Sequence, residues 1–318
     1  MKEIWQLRFT ELKRTIRLVL STPAGITGTI IIAVLLICAI FAPFLAPHDP
    51  YLVDVPNKLH PPNSENWFGT DTVGRDIFSR IIYGARYSLA AGTIVVGIGV
   101  VIGSIIGLLA AYPGGRRGEI IMRFTDIFLS FPTMLLAIAL ASTLGPSFLN
   151  SMIAISIVYW PKYARLIYGQ ALSIRENDYI KFAEVLKLNN NTIRMRHIFP
   201  NCSSALIVQS TLDFGDAMLF FAALSFVGLG AQPPAADWGA MLAFSRKYMM
   251  LSWWTAVFPG IAIFISVLAF NLIGDSIRDA LDPRLRRLKA FKPMRLTWLG
   301  NFGKLLDISR GSKFNNGK

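Results

Sequence analysis

Four stretches of this chain contain no Asp, Glu, Lys or Arg: residues 18–47, 87–115, 127–161 and 248–274, with lengths of 30, 29, 35 and 27. A helix rises about 1.5 Å per residue, so each stretch is long enough to cross a hydrocarbon core about 30 Å thick. Inside that core the backbone must close its own hydrogen bonds, which points to an all-α integral membrane protein. Composition agrees. Hydrophobic residues make up 53% of the 318 and charged residues only 16%, against about 25% in soluble domains. A disordered chain is excluded by the same numbers.

Gly145-Pro146-Ser147 interrupts the longest run and splits it into two helices. Residues 203–229 contain Asp213 and Asp216 but are otherwise apolar and long enough to span. The expected spans are therefore six: 26–45, 87–112, 120–144, 148–166, 203–229 and 253–274. Arg123 and Asp126, spaced i,i+3, are expected to pair within the third. With the N-terminus inside, 26 of the 32 Lys and Arg fall on the inner side and six on the outer side. This predicts an N-in/C-in topology. The net charge of +13 then reports orientation and contact with lipid headgroups, not nucleic acid binding.

Residues 1–25 place Trp5, Phe9, Leu12 and Ile16 at helical spacing with Arg8, Lys13 and Arg17 elsewhere, as in a helix lying in the inner interface. The first apolar run is too long for a cleavable signal peptide. Cys38 and Cys202 are not expected to form a disulfide. There is no GxxxxGK[ST] loop, no G-x-S-x-G elbow and no Cys/His metal motif, and His48, His60 and His197 are the only histidines. No catalytic residue and no metal ligand is assigned.

Three polar segments remain. The outer segment 48–86 carries Gly69-Thr70-Asp71, Gly74-Arg75-Asp76 and Arg86. The glycines permit tight turns and Asp71 or Asp76 can cap the following helix, so the segment reads as a folded cap or as a substrate contact. The inner segment 162–200 contains Asn177-Asp178, which can cap a short helix over 179–188 with Tyr179, Phe182 and Leu186 on one face. Such a helix suits docking to a partner, or lying on lipid. The third segment, Gly228 to Gly239, breaks the fifth helix with Gly and Pro, and Trp238, Trp253 and Trp254 suit the outer interface.

The runs GTDTVGRDIFSR and GARYSL, the loop ending His197-Ile198-Phe199-Pro200-Asn201, LSFVGLGAQPP with DWG, and the stretches 270–275 and 281–286 stand in order over about 26–287. Together they resemble the C-type permease subunit of the dipeptide/oligopeptide/nickel ABC importers. The resemblance implies the type I ABC importer permease fold in a bacterial or archaeal cytoplasmic membrane. Its organisation would be an N-terminal helix (1–25), a first span with outer loop (26–86), a five-span core (87–275) holding the EAA-type loop 170–201, and a basic tail (276–318). It implies a second homologous permease, two cytoplasmic ATPase subunits that carry ATP and Mg, and an extracytoplasmic substrate-binding protein. This chain would bind no cofactor and catalyse nothing. Tyr179, Phe182, Ala183, Glu184 and Leu186 would form the coupling helix, braced by His197, Pro200 and Asn201. ATP-driven closure of the partners would rock the helices between inward and outward openings. Substrates would be di- or oligopeptides, with nickel or metal chelates, glutathione or oligosaccharides as relatives' alternatives. A stand-alone channel or secondary transporter and a membrane-anchored enzyme or scaffold are the rival classes.

The sequence departs from the family loop. The usual Glu-Ala-Ala falls on Lys181-Phe182-Ala183, and the usual Gly on Lys187. The charge reversal at Lys181 predicts a preference for a cognate ATPase. Lys187 disfavours a positive-φ turn, so the helix is expected to continue toward Asn189-Asn190-Asn191. Within the bilayer, Asp213 and Asp216 share a face by spacing and, with Gln209, are the candidates for lining a path. A peptide ammonium or a cation would partner them; a contact with the second permease is the structural alternative.

Overall fold

The computed structural model describes residues 13–112 and 114–281, and among them every element of regular structure is helical. Residues 13–19 are helical, but a turn over 20–22 ends that helix and residues 23–25 belong to the next one, so the expected N-terminal helix does not run to 25; residues 1–12 and the tail after Leu281 lie outside the described residues.

Helix α1 (Pro23–Leu45) starts where Thr22 Oγ1 accepts the Gly25 N–H at 3.1 Å and Pro23 presets φ. It is kinked at Phe41, because Pro43 has no N–H to give the Ala39 carbonyl. Arg86 replaces that donor: its Nε lies 2.6 Å from Ala39 O and its Nη2 3.3 Å from Ile40 O. Arg86 of the outer motif thus satisfies carbonyls freed within the first span.

Helix α2 (Ile77–Ala111) has 35 residues, about 52 Å of rise, which exceeds the bilayer core. It begins ten residues before the expected span, so Arg80 and Arg86 are helical and not part of a loop. Asp76 is the cap, its Oδ2 accepting the Ser79 N–H at 2.8 Å. The expected third span is two helices, α3 (Gly115–Ser130) and α4 (Thr133–Leu144), bent by 88°. Pro132 causes the break: it forces Phe131 into extended backbone (φ −87°, ψ 144°). Asp126 does not pair with Arg123; it meets Arg165, on the helix that follows the bent pair.

Helix α5 (Phe148–Arg175) runs nine residues beyond the expected end. Among the described residues four helices are long and apolar enough to span by composition, five with the bent pair, against the six expected. Helix α5 has 28 residues but falls short on composition, since it carries Lys162 and Arg165. The inner loop holds the short helix α6 (Asp178–Val185) and a π-helical turn, Ile193–Ile198. Helix α7 (Phe199–Phe226), the short α8 (Trp238–Ser245) and α9 (Trp254–Leu281) complete the described residues, and a second compact unit begins at Asp279. Within the first unit α5 is central. Tyr163, Ile155 and Ile167 are fully buried against α2, α4 and α7.

Candidate functional site

The outer motif builds a cap. Arg75 Nε sits 2.7 Å from Asp71 Oδ2, and Asp71 Oδ1 accepts the backbone N–H groups of Val73 and Arg75. Gly69 and Gly74 take φ of 72° and 86°, and a Cβ at Gly74 would overlap the Asp54 carbonyl at 1.8 Å. Thr70 Oγ1 donates to Asn57 O at 2.5 Å, and the Thr70 carbonyl accepts from Trp254 Nε1 at 3.3 Å. Arg80, only 2% exposed, reaches Pro50 O at 2.8 Å and Ala235 O at 2.9 Å. One buried guanidinium therefore ties the outer loop to the Gly-Pro-rich exit of α7. This bonding supports the cap reading of Gly69, Thr70, Asp71, Gly74, Arg75 and Asp76.

Asp237 N-caps α8 through Ala240 N–H at 3.0 Å and is fully buried. Burial pushes its carboxyl up to about 6, opposed by the Ser225 hydroxyl, the N–H groups of α8 and Arg80. Because the folded value exceeds the ordinary one, the native cap holds a proton between about pH 4 and 6 that the unfolded chain has lost. Stability therefore falls across that window as pH rises, by about 3 kcal/mol. Asp237→Asn keeps the capping oxygen and removes the charge. It is expected to raise the thermal midpoint at pH 7.5 and leave it nearly unchanged at pH 4; equal shifts at both pH values would contradict this.

On the inner side, α6 rests on Ile180 (fully buried) and Ala183, and turns Tyr179, Phe182, Val185 and Leu186 outward, with Phe182 69% and Leu186 72% exposed. Asn177 occupies the cap position without a side-chain bond, so the expected cap contact is absent. Asn201 Nδ2 donates to the Tyr179 hydroxyl at 3.2 Å and to His197 O at 2.6 Å, which braces α6 against the start of α7. Pro200 sits in the first turn of α7, where a missing N–H costs nothing. Glu184 is exposed and faces the Tyr112 hydroxyl at the end of α2. Lys181 pairs with Glu176 at 3.4 Å.

The expected continuation of α6 to the Asn triplet does not occur. Lys187 adopts φ 54°, its N–H bonding Glu184 O at 2.9 Å and the Leu188 N–H bonding Ala183 O at 3.2 Å. This is the Schellman closure, and α7 ends the same way on Gly228 at φ 91°. The two carbonyl bonds outweigh the strain of a non-glycine residue. Lys187→Gly removes about 1 kcal/mol of that strain. Amide exchange in α6 is expected to slow roughly fivefold, read by hydrogen-exchange mass spectrometry; unchanged or faster exchange would show that Lys187 carries no strain.

At mid-membrane the expected shared face of Asp213 and Asp216 is divided. Asp213 is fully buried toward α5, while Asp216 is exposed. Lys162, expected at the inner end of the 148–166 span where the polar segment 162–200 starts, lies halfway along α5, with its Nζ 2.5 Å from Asp213 Oδ1. Gln209 Nε2 donates to the same oxygen at 3.0 Å. Sequence reasoning missed Lys162 because the true end of α5 lies beyond the charged residues that seemed to close it. Among the described residues no cluster of His, Cys, Asp and Glu is arranged to hold a metal, and both cysteines are free.

Residues 99–287 match the family model described as the binding-protein-dependent transport system inner membrane component, and residues 11–62 match the N-terminal TM domain of oligopeptide transport permease C. The chain is 48% identical over 263 residues to the probable D,D-dipeptide transport system permease protein DdpC of Escherichia coli K12, covering 83% of this chain and 88% of that protein. It is 44% identical over 282 residues to the dipeptide transport system permease protein DppC of Alkalihalophilus pseudofirmus, covering 89% and 90%. It is also 44% identical to the glutathione transport system permease protein GsiD of Escherichia coli O157:H7, covering 82% and 87%. Its fold is similar to that of a chain of the inward-facing MetNI methionine ABC transporter, with a TM-score of 0.54 at 17% identity over 65% of this chain and 98% of that one.

Proposed function

The chain belongs to the family of inner membrane components of binding-protein-dependent transport systems, and from that premise we propose that it forms half of the translocation pathway of an ATP-driven importer of di- or oligopeptides. As a family member it is a multi-pass transport subunit of an ABC importer, working with ATPase and substrate-binding partners; ATP hydrolysis belongs to the ATPases. In this reading the second half is a homologous permease, two ATPases dock from inside, and ATP with Mg stays on them. The N- and C-termini face inward, as the 26 inner Lys and Arg favour.

The observation that carries the reading is the exposed apolar face of α6. Tyr179, Phe182, Val185 and Leu186 project from a helix held by buried Ile180 and braced by Asn201. Water does not stabilise such a face, and a partner groove does. Ala183 is the small buried contact beneath it, while Glu184 and Lys181 at its edge set charge preference for a cognate ATPase. Displacement of α6 is passed to α7 through the π-turn and to α2 through Glu184, which faces the Tyr112 hydroxyl. The buried Asp213, with Gln209, supports the exposed Asp216 at the path.

Phe182→Asp with Leu186→Asp is expected to leave the permease pair folded, to abolish co-purification of the ATPases, and to reduce uptake at least tenfold. Full ATPase recovery with normal uptake would remove the docking assignment. Glutathione, itself a peptide, is a second reading favoured by the similarity to GsiD. Competition of labelled dipeptide uptake by glutathione separates the two.

A further inference from the structure

The charged groups at the centre of the bundle are arranged as a dipole. Lys162 and Asp213 are each the fifteenth residue of a 28-residue helix, so both stand about 21 Å from the end of their helix. The Lys162 side chain is 46% exposed, while that of Asp213 is fully buried. Asp216 is exposed on the same side, close enough for Lys162 to act on it electrostatically. Charges at this depth do not face hydrocarbon; they face a partner or water. The trio presents one exposed cation and one exposed anion, with the second anion held behind them.

Among the buried side-chain atoms of the described residues that have no hydrogen-bond partner are Asp213 Oδ2 and the hydroxyl of Tyr163, which lie beside one another. A buried hydroxyl without an acceptor is costly, and this one is next to the carboxylate that Lys162 occupies.

We propose that Lys162, Asp213 and Asp216 form a transient station for a zwitterionic peptide, Asp216 receiving its ammonium and Lys162 its terminal carboxylate, with Tyr163 as the reserve donor that takes over Asp213 when Lys162 turns away. This rests on the reading that the face borders the path. No bond is made or broken. Lys162 exchanges one carboxylate for another, and Asp213 keeps Gln209 and gains Tyr163, so the buried anion is never left bare. The station holds peptides only briefly, since Asp213 competes for Lys162 and returns it to rest.

The test uses the complete importer in proteoliposomes. Maximal uptake rates are taken at full loading of the binding protein with dialanine, its C-terminal amide or its N-acetyl form. Lys162→Gln is expected to slow dialanine at least tenfold and the amide less than threefold. Asp216→Asn should slow dialanine at least tenfold and the N-acetyl form less than threefold. Tyr163→Phe should keep the wild-type thermal midpoint yet slow dialanine more than its amide. Equal slowing of free and blocked peptides, or none, overturns the station. The path reading has its own arm: Asp216→Cys, with Cys38 and Cys202 changed to Ser, should react with an impermeant thiol reagent at a rate that ATP changes. Reaction with equal slowing removes the station alone; lack of reaction removes the path.

Discussion

Gly103→Leu should leave almost no assembled permease in the membrane. Gly99, Gly103 and Gly107 recur every four residues on α2 and lie against α5. A Cβ on Gly103 would stand 2.5 Å from Tyr163 Cβ, 2.6 Å from the Trp160 carbonyl and 2.8 Å from the Ala164 backbone nitrogen. Two of these atoms are backbone, so relief requires parting the helices. Small residues at this spacing drive association in lipid, where apolar burial alone supplies no force between helices. Overpacking in a close contact costs about 1–3 kcal/mol, and separating the longest helix from the central one adds lost dispersion along the seam. The check is the yield and thermal midpoint of the purified permease pair. Gly97, whose Cβ would meet nothing within 4 Å, is the control: Gly97→Leu should accumulate normally. Similar losses for both would refute the packing argument.

The uncharged runs made the all-helical, membrane-spanning class and the order of the long helices legible, because the bilayer admits few alternatives to a helix of that length. The glycine seam was legible too, as a four-residue repeat inside the 87–115 run, but spans are found by polarity and that repeat carries none. Polarity also misled. Lys162 and Arg165 marked the inner end of the expected 148–166 span, yet α5 continues to Arg175, and its charged face lies against Asp213 and Asp126 on other helices. Partners about 50 and 40 residues away in sequence cannot be read from local pattern. Pro132 was visible, and its effect was lost in an apolar run long enough to hide two helices. At α6 the exposed Tyr179, Phe182 and Leu186 face followed from spacing, whereas the turn at Lys187 was set by bonds to Ala183 and Glu184 that outweigh residue preference.

The Lys162–Asp213 pair should respond asymmetrically to mutation, and the asymmetry follows from burial. Lys162→Met leaves a fully buried carboxylate with only the neutral donors Gln209 and Tyr163 and no counter-charge, and removing one member of a buried pair costs about 3–5 kcal/mol. Asp213→Asn leaves a half-exposed ammonium, which can turn to Asp216 and to water, so the loss should be about 1 kcal/mol. Lys162→Met with Asp213→Leu removes both charges and fills the site, and buried pairs replaced in this way are commonly neutral. The double variant is therefore expected to be more stable than Lys162→Met alone, read as thermal midpoints of the purified complex at one pH and salt concentration. Its uptake should still fall, since the restored packing carries no charge to present to a peptide. A double variant less stable than either single one would mean that the pair does not compensate itself. A symmetric loss would place Lys162 as deep in the protein as Asp213, closed off from the path.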